Sequence, residues 1–332
     1  MKNCILSVCI PTYNRVKHLK RQVSFLEQYL NDEIQLVISD NCSSDGTSEF
    51  LKTLTINKYI SANINTFNEG TESNMRKCSQ LAIGEYIYFL GDDDYLSKDF
   101  IPTLIKLIKE YRADYYHFNY RAFDDLKMLV HKENGINRRL NIHNTRLNHK
   151  EIAKIVSRYY GPLLFISSNV FKRDIVINNI DNYSKWVETL RLSVISMTTG
   201  TTYIDDSPRI LCGVNSSWTD RRGEVWFESF PKLFDNMKIY GFSDRDILKI
   251  KSHALADCIF NYYRSNSKDH SQKSWTLEIK KLSNARVKWY LFVRYCKKIL
   301  HKLVTIVLFK QMYVPVSDKD KELYELNGGE TQ

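Results

Sequence analysis

The first ninety residues repeat one pattern three times: a short apolar run, then a polar loop, then a stretch with helical periodicity. The apolar runs lie at residues 5–10, 34–39 and, more weakly, 59–62, and a fourth begins at Tyr86. The stretch after the first run has apolar residues at three- and four-residue spacing, namely Leu19, Val23, Leu26 and Leu30. This alternation predicts parallel strands joined by right-handed crossovers, with helices on both faces of the sheet.

The fourth run ends in three consecutive carboxylates. Gly91 follows the apolar residues, and Asp92, Asp93 and Asp94 come directly after it. A buried strand that carries these side chains at its carboxyl end brings like charges together, and their repulsion is severe without a cation. Hard oxygen ligands suit Mg²⁺ or Mn²⁺, which commonly completes its coordination with water and nucleotide phosphates. A solvated acidic turn is the alternative interpretation.

Three polar loops are expected to meet in one crevice, because ligands of open α/β sheets bind at the carboxyl ends of the strands. These loops are residues 11–15, 40–45 and 92–94. No Gly-x-Gly-x-x-Gly follows the first apolar run, and no Gly-x-x-x-x-Gly-Lys-Ser/Thr occurs in the chain. A dinucleotide site of the Rossmann type and a P-loop are therefore both disfavoured.

Four segments form an ordered motif series. They are Ser-Val-Cys-Ile-Pro-Thr-Tyr-Asn-Arg at residues 7–15, Val-Ile-Ser-Asp-Asn-Cys-Ser-Ser-Asp-Gly-Thr at 37–47, Asn-Glu-Gly at 68–70, and Gly-Glu-Tyr-Ile-Tyr-Phe-Leu-Gly-Asp-Asp-Asp at 84–94. In order and spacing the series resembles the family 2 inverting glycosyltransferases of GT-A fold. Within that family it is most similar to abequosyltransferase-type enzymes, which add a sugar to bacterial O-antigen repeat units. The resemblance is close over residues 3–125 and extends weakly to residue 215.

The resemblance implies a nucleotide-diphospho-sugar transferase fold, a Rossmann-like mixed α/β sheet with helices on both faces. We expect this GT-A domain to cover residues 1–215, with a nucleotide-sugar half at 1–125 and an acceptor half at 126–215. Residues 216–332 would form a mainly helical C-terminal region. A chain of 332 residues, 43% of them hydrophobic, can hold one sizeable α/β domain and a smaller appendage.

The resemblance also implies the residues that bind the donor. Pro11, Thr12 and Tyr13 match the loop that wraps the nucleotide base, and Asp40 and Asn41 match the pair that hydrogen-bonds the base edge. Asn41 stands where aspartate is usual, and its amide can both donate and accept hydrogen bonds. UDP-, CDP- and dTDP-sugars are therefore all candidate donors. The remaining members of the predicted nucleotide-sugar set are Arg15, Arg76 and Asp92. Arg76 could neutralise the diphosphate, or it could be an ordinary exposed helix charge.

The metal motif departs from the common Asp-x-Asp form. Asp93 matches the residue expected to bind Mn²⁺ or Mg²⁺, Asp94 is a second predicted metal ligand, and Asp92 would support the ion or the ribose. Gly91 takes the place of the usual first carboxylate. A divalent ion acts there as a Lewis acid that stabilises charge on the departing diphosphate without a proton donor.

Single displacement with inversion also requires a general base that takes the proton of the acceptor hydroxyl. In the family this group lies in an acidic motif about ninety residues after the metal site, and Glu188 falls at that distance. The common motif is Glu-Asp, whereas Thr189 follows Glu188 here. An ion pair between Glu188 and Arg191 at i, i+3 is the structural alternative. The other candidates for the base are Asp181 and, less favourably, Asp205 and Asp206.

Positive charge is concentrated near the C-terminus. Residues 279–317 contain nine Lys or Arg and no Asp or Glu, whereas the whole chain has a formal net charge of +10. The longest uncharged apolar stretch, 303–309, is far shorter than the ~20 residues that span a bilayer. A basic helix rich in aromatic residues indicates binding to an anionic membrane surface, and packing on the catalytic domain is the alternative. Nucleic-acid binding is not expected, since no nucleic-acid-binding motif accompanies the charge.

Together these features predict a metal-dependent inverting glycosyltransferase that transfers a sugar to a polyprenyl-diphosphate-linked oligosaccharide in bacterial surface polysaccharide (O-antigen or capsule) synthesis. Seven cysteines without a Cys-x-x-Cys pair, and a start without a signal-peptide pattern, favour a cytoplasmic enzyme at the inner face of the cytoplasmic membrane. One alternative is a sugar-phosphate nucleotidyltransferase, which would normally have a Gly-rich phosphate loop after the first strand. Another is a catalytically inactive binding protein with the nucleotide fold.

Overall fold

The predicted alternation of strands and helices is present in the computed structural model, which describes residues 3–54, 56–136, 140–213, 221–264, 276–282, 284–293, 295 and 313–325. The first seven elements are β1 (Leu6–Thr12), α1 (Val16–Glu27), β2 (Ile34–Asp40), α2 (Thr47–Leu54), β3 (Ile60–Ile64), α3 (Thr71–Leu81) and β4 (Tyr86–Phe89). Each of the first three strands therefore ends in a loop that leads into a helix, as the sequence indicates.

The second part of the chain is less regular. Its elements up to residue 213 are β5 (Tyr95–Leu96), α4 (Phe100–Tyr111), β6 (Tyr115–Asp124), β7 (Leu129–Asn134), β8 (Ile142–Thr145), α5 (His149–Leu164), β9 (Asn169–Lys172), α6 (Arg173–Asn179), α7 (Glu188–Thr199) and β10 (Thr202–Gly213). The elements after residue 220 are α8 (Arg222–Glu224), a π-helical turn (Val225–Ser229), α9 (Phe230–Asn236), α10 (Asp244–Arg264), α11 (Thr276–Leu282), α12 (285–293), β11 (Tyr313–Pro315) and α13 (Asp318–Leu323).

The strands form one mixed sheet. Its main path runs in the order β11-β7-β6-β9-β4-β1-β2-β3. The four strands β4, β1, β2 and β3 are parallel, and β9 lies antiparallel between β4 and β6. β10 runs parallel to β6 and antiparallel to β5 and β8. The carboxyl ends of the parallel strands thus share one edge of the sheet.

Side chains of the central strands alternate between two hydrophobic clusters, one on each face of the sheet. Val8 and Ile10 of β1 belong to the cluster that includes residues of α1, α2 and α4. Cys9, between them, belongs to the cluster that includes residues of α3, α5 and α7. This alternation is what a strand covered on both faces requires, and it confirms the prediction of helices on both sides.

The C-terminal region is packed on the sheet domain. Phe230 of α9 and Ile250 of α10 are buried in the same cluster as α5 and α7, so one core joins residues on both sides of the predicted boundary at 215, which stays a prediction. β11 adds an antiparallel strand to β7, an element that the sequence analysis did not predict in this mainly helical region. Pairing satisfies the backbone of an otherwise open edge strand. None of the described helices is both long enough and apolar enough to cross a bilayer.

Candidate functional site

The three polar loops meet at the carboxyl edge, as predicted. Thr12 at the end of β1 donates a hydrogen bond of 2.7 Å from its Oγ1 to Oδ2 of Asp92. The backbone N–H of Val16 donates to Oδ2 of Asp45, at 2.8 Å, in the loop after β2. These contacts join the first loop to both of the others and form a crevice over the ends of β1, β2 and β4.

Asp92 and Asp93 both contact one cationic group. Nη1 of Arg15 lies 2.6 Å from Oδ2 of Asp93 and 3.3 Å from Oδ1 of Asp92. Burial raises the pKa of Asp92 to about 6, although Arg15 and Thr12 oppose the shift. Burial alone would lower the pKa of Arg15, but Asp92 and Asp93 reverse the effect and raise it. Two carboxylates are therefore directed at a single point that a positive charge occupies.

Asp94 holds the acidic loop in place through hydrogen bonds in the protein interior. Its side chain is buried, Ser167 donates to Oδ2, and the backbone N–H of Gly213 donates to Oδ1 at 3.1 Å. Burial and the nearby Asp93 raise the pKa of Asp94 well above its usual value. Asp94 is 2% exposed, whereas the side chain of Asp93 is 22% exposed, so the geometry favours Asp93 over Asp94 as the cation ligand. The predicted metal-binding role of Asp94 stays a prediction.

The same contact explains the glycine in the metal motif. A Cβ atom at Gly91 would lie 2.5 Å from Oδ2 of Asp94 and 3.3 Å from Oγ of Ser167. Gly91 also donates its backbone N–H to that Ser167 hydroxyl at 2.8 Å. A larger side chain, including the usual aspartate, is therefore incompatible with the buried position of Asp94.

Two residues of α1 hold the acidic loop through its backbone, and the sequence analysis missed both. Arg21 donates from Nη2 to the carbonyl oxygens of Asp92 and Asp94, at 3.1 and 2.8 Å. Gln22 donates from Nε2 to the carbonyl oxygens of Gly91 and Asp94, at 3.0 and 2.6 Å. Gln22 could have been found from the sequence, because it is a polar residue within the buried apolar face of its helix.

The site fits a divalent ion that brings phosphate ligands with it. Within the described ranges, no group of three or more His, Cys, Asp or Glu side chains is arranged to hold a metal by itself. Mg²⁺ and similar ions are commonly bound by one or two carboxylates plus substrate phosphates, and Asp92 and Asp93 supply such a pair. The guanidinium of Arg15 lies between the two carboxylates and supplies positive charge at this point.

The predicted base-binding pair is buried and already has protein partners. The carboxylate of Asp40 accepts hydrogen bonds from Ser43 and, at 2.6 Å, from the hydroxyl of Ser48. Nδ2 of Asn41 donates to Oδ1 of Asn68 at 2.8 Å, which joins the second motif to the third. The predicted contacts of Asp40 and Asn41 with the base edge stay predictions.

The other predicted donor residues differ in exposure. Thr12 is 2% exposed and holds Asp92, Pro11 is partly buried, and Tyr13 is 44% exposed, so its ring is accessible to a ligand. Arg76 lies 2.8 Å from Oδ1 of Asp181, with both side chains well exposed. A second candidate for the general base is therefore paired with a predicted diphosphate-binding residue. Asp205 instead accepts from Nε of Arg209 at 3.2 Å, whereas the backbone carbonyl of Asp206 accepts a hydrogen bond from Asn119.

Glu188 is the first residue of α7, and it forms the ion pair with Arg191 that the alternative interpretation predicts. Its Oε2 accepts from Nε of Arg191 at 2.8 Å, and its Oε1 accepts from Nη2 of the same residue at 2.5 Å. The backbone N–H of Ser184 donates to Oε2 at 2.7 Å. Glu188 and Arg191 are 8% and 3% exposed. The predicted role of Glu188 as the base stays a prediction.

A second buried carboxylate lies beside Glu188, and the sequence analysis did not single it out. Glu72, in the first turn of α3, accepts a hydrogen bond from the backbone N–H of Trp186. Glu72 and Glu188 line one narrow crevice together with Phe89 and Tyr183. Burial raises the pKa of Glu72. The only sequence signal was its position two residues after the Asn-Glu-Gly motif.

Comparison with known proteins agrees with this geometry. Residues 7–174 match the family described as Glycosyl transferase family 2. The chain belongs to this family. The family resemblance stated from the motifs is thereby confirmed.

Two curated relatives of this family 2 chain are bacterial enzymes. Abequosyltransferase RfbV of Salmonella typhimurium is 34% identical over 117 residues, which cover 34% of this chain and 34% of the relative. The GalNAc(5)-diNAcBac-PP-undecaprenol beta-1,3-glucosyltransferase of Campylobacter jejuni is 28% identical over 110 residues, or 32% of this chain and 35% of the relative. The matches thus span about one third of these relatives.

Solved structures share the fold over most of the chain. Staphylococcus aureus TarS 1–349 in complex with UDP-GlcNAc superposes with a TM-score of 0.59 at 16% identity, covering 84% of this chain and 79% of TarS. A mannosyltransferase from Pyrobaculum calidifontis, in complex with GDP-Man and Mn²⁺, superposes with a TM-score of 0.52 at 13% identity, covering 93% and 88%. These superpositions confirm the GT-A fold.

Proposed function

We propose that this protein is an inverting glycosyltransferase that moves one sugar from a nucleotide-diphospho-sugar to a lipid-linked oligosaccharide during synthesis of a bacterial surface polysaccharide. The observation that carries the proposal is the meeting of three motif loops at one edge of the sheet, where Asp92 and Asp93 both contact Arg15. The family match over residues 7–174 and the name of the abequosyltransferase relative support it.

The donor would lie in the crevice over the ends of β1, β2 and β4. Tyr13, the most exposed of the predicted donor residues in the first loop, is available to the base, while Asp40 and Asn41 are buried. UDP-, CDP- and dTDP-sugars are the proposed donors, and the UDP-GlcNAc complex of TarS supports a uridine nucleotide. The Asn41 amide, which donates as well as accepts, is compatible with uracil, thymine or cytosine.

Asp92 and Asp93 would hold a Mn²⁺ or Mg²⁺ ion, with Asp94 beneath them. When bound, such an ion neutralises negative charge on the departing diphosphate. Arg15 already contributes positive charge at the same point, and Arg21 and Gln22 fix the backbone of the loop through its carbonyl oxygens. A rigid loop keeps the charges in place before the reaction, so no reorganisation is needed as charge develops.

The acceptor and the membrane form the second part of the proposal. The Campylobacter relative carries PP-undecaprenol in its name, which supports a polyprenyl-diphosphate-linked acceptor. Val287 of α12 is fully buried, whereas Trp289 and Phe292 of the same helix and Tyr295 beyond its end are 61, 59 and 60% exposed. We propose that this aromatic face, within the basic segment 279–317, binds the anionic inner face of the cytoplasmic membrane. Residues 283, 294 and 296–312 of that segment lie outside the described residues.

The proposed function is tested by donor binding and turnover. Thermal unfolding of the purified protein is measured with UDP-, CDP-, GDP- and dTDP-sugars, with and without Mn²⁺, and the stabilising donor is then incubated with lipid-linked oligosaccharide. We expect one donor class to raise the melting temperature in a Mn²⁺-dependent manner, and we expect nucleoside diphosphate release with the acceptor. Release of pyrophosphate from a nucleoside triphosphate and a sugar phosphate would instead identify a nucleotidyltransferase. Donor binding without any release would identify an inactive binding protein.

A further inference from the structure

The C-terminal segment 313–325 packs against strands that also contact the acidic loop. Its first part, β11, pairs with β7, and the backbone N–H of Val316 donates to the carbonyl oxygen of Met128 at 3.0 Å. Its second part, α13, forms an ion pair of 2.6 Å between Oδ1 of Asp320 and Nη2 of Arg121 on β6. These two side chains are only 17 and 19% exposed. Backbone pairing and a largely buried ion pair therefore fix this segment on the sheet.

The end of α13 contacts the chain just after the acidic loop. The backbone N–H of Lys98 donates to the carbonyl oxygen of Leu323 at 3.0 Å. Tyr324 is buried, and its hydroxyl donates to the carbonyl oxygen of Pro208 on β10 at 3.2 Å. β10 is also the strand that pairs with β5, which begins directly after Asp94. The C-terminal segment thus contacts both the chain that follows the loop and the strand that pairs with it.

A small hydrophobic cluster extends these contacts to the loop itself. Tyr95 and Leu323 pack against its buried members, which are Phe123, Val130, Leu211, Val316 and Tyr324. The guanidinium carbon of Arg21 lies 3.7 Å from the centre of the Tyr95 ring. Arg21 is the residue that donates to the carbonyl oxygens of Asp92 and Asp94. Contacts therefore lead from the cluster through Tyr95 and Arg21 to the backbone of the acidic loop.

The acidic loop borders a cavity of about 190 Å³. Asp94 and Tyr95 line this cavity together with Arg21 and Gln22 of α1, and Tyr324 completes the lining from the C-terminal segment. Side chains next to a void lack packing partners on that side, so the remaining contacts have a larger share in fixing their position. Tyr324 is therefore well placed to limit movement of the loop into this space.

We propose that Tyr324 is a positioning residue for the donor site, and that it holds the acidic loop in the conformation that binds the diphosphate of the donor. This inference rests on the proposed function. A loop that is fixed before binding presents its charges without reorganisation, whereas a looser loop has to be ordered when the ligand binds. Loss of Tyr324 should therefore weaken donor binding more than it slows the reaction of bound donor.

Hydrogen exchange measured by mass spectrometry tests the positioning role on the full chain without any ligand. In Tyr324→Ala we expect exchange at residues 91–96 to become faster by about fivefold or more, with wild-type exchange in β1. Tyr324→Phe keeps the ring in the cluster and loses only the bond to Pro208, so its exchange should stay near that of the wild type. Asp318→Ala changes a side chain of the same helix that is 99% exposed, and it should change neither region.

Nucleotide binding tests the consequence for the donor site. Calorimetry with UDP, CDP and dTDP in the presence of Mn²⁺ gives the Kd of each protein. For the nucleotide that binds, we expect the Kd of Tyr324→Ala to rise roughly tenfold, which corresponds to about 1.4 kcal/mol. At saturating donor, kcat should stay within about twofold of the wild-type value, because the lost interaction contributes to binding and not to the chemical step.

Each of three results would overturn the proposal. They are wild-type exchange at residues 91–96 in Tyr324→Ala, faster exchange there with an unchanged Kd, and equally faster exchange at residues 91–96 and in β1. The last would assign Tyr324 to the general stability of the fold. If the wild-type protein bound none of the nucleotides, the proposed function would fail, and the exchange data would still decide whether Tyr324 holds the loop.

Discussion

The donor crevice and the crevice at the start of α7 differ in how their residues are encoded. At the proposed donor site, most of the predicted side chains belong to short motifs at the ends of strands, and hydrogen bonds such as that from Thr12 to Asp92 join one motif to another. At α7, a hydrogen bond joins Glu72 to Trp186, which is 114 positions later in the chain. A site built from strand ends can therefore be predicted from its motifs, whereas one built from helix packing requires the structure.

The largest effect on turnover is expected from replacing Asp93, the carboxylate best placed to bind the cation. Asp93→Asn should lower turnover by about 10³-fold, since several kcal/mol of charge stabilisation is lost at the diphosphate. Folding should be unaffected because Asp93 is the least buried of the three acids. Turnover of the pure variant is compared with that of wild-type protein before and after EDTA treatment and addition of Mn²⁺. Full activity of the chelated wild-type protein would exclude a role for a divalent ion.

The buried ion pair at α7 should give the largest loss of stability. Glu188→Ala leaves the guanidinium of Arg191 buried without its partner, which typically costs about 3–5 kcal/mol of unfolding free energy. The control is Glu224→Ala, which removes the ion-pair partner of Lys185 and of Arg221, two side chains that are each 59% exposed. Loss of each of these exposed pairs should cost no more than about 1 kcal/mol. Urea unfolding of both variants checks the difference, and equal losses would show that Arg191 finds another partner.

Much of the donor half could be predicted from the sequence because strand burial and loop polarity are local properties. The first four strands, the helices between them and the meeting of the loops at Thr12 and Asp92 all follow from that pattern. The position of Asp94 could not be predicted. Its inward orientation depends on Ser167 and Gly213, which are far away in the sequence and contact the loop because β9 and β10 belong to the same sheet.

At the start of α7, too, the sequence did not decide which contacts form. The spacing of Glu188 from the metal motif and from Arg191 was visible in the sequence, and both the base and the ion-pair interpretations were open. Only packing of α7 into the core decides that the pair forms, because burial of Arg191 makes an unpaired guanidinium costly. The strand β11 was equally hidden, since its pairing with β7 depends on the chain returning to an open sheet edge.

A smaller effect is expected at the glycine of the metal motif. Gly91→Ala places a Cβ atom 2.5 Å from Oδ2 of Asp94, and overpacking of this kind costs about 1–3 kcal/mol. If the contact with Asp94 is the cause, the cost should be smaller when Gly91→Ala is introduced into an Asp94→Ala protein. Unfolding free energies of the two single variants and the double variant form the double-mutant cycle. Additive losses would show that Ser167 or the backbone, and not Asp94, excludes a side chain there.

The smallest expected change leaves the catalytic domain intact and affects only the location of the enzyme. Replacing Trp289, Phe292 and Tyr295 together by Ser should weaken binding to phosphatidylglycerol vesicles by at least about tenfold, since their apolar surface can no longer enter the interface. Truncation before residue 279 is a poorer test because it also removes β11, which pairs with β7. Co-sedimentation at low and high salt separates the aromatic from the electrostatic contribution, with phosphatidylcholine vesicles as the control. Wild-type binding by the triple variant would assign the exposed aromatic face to a different partner.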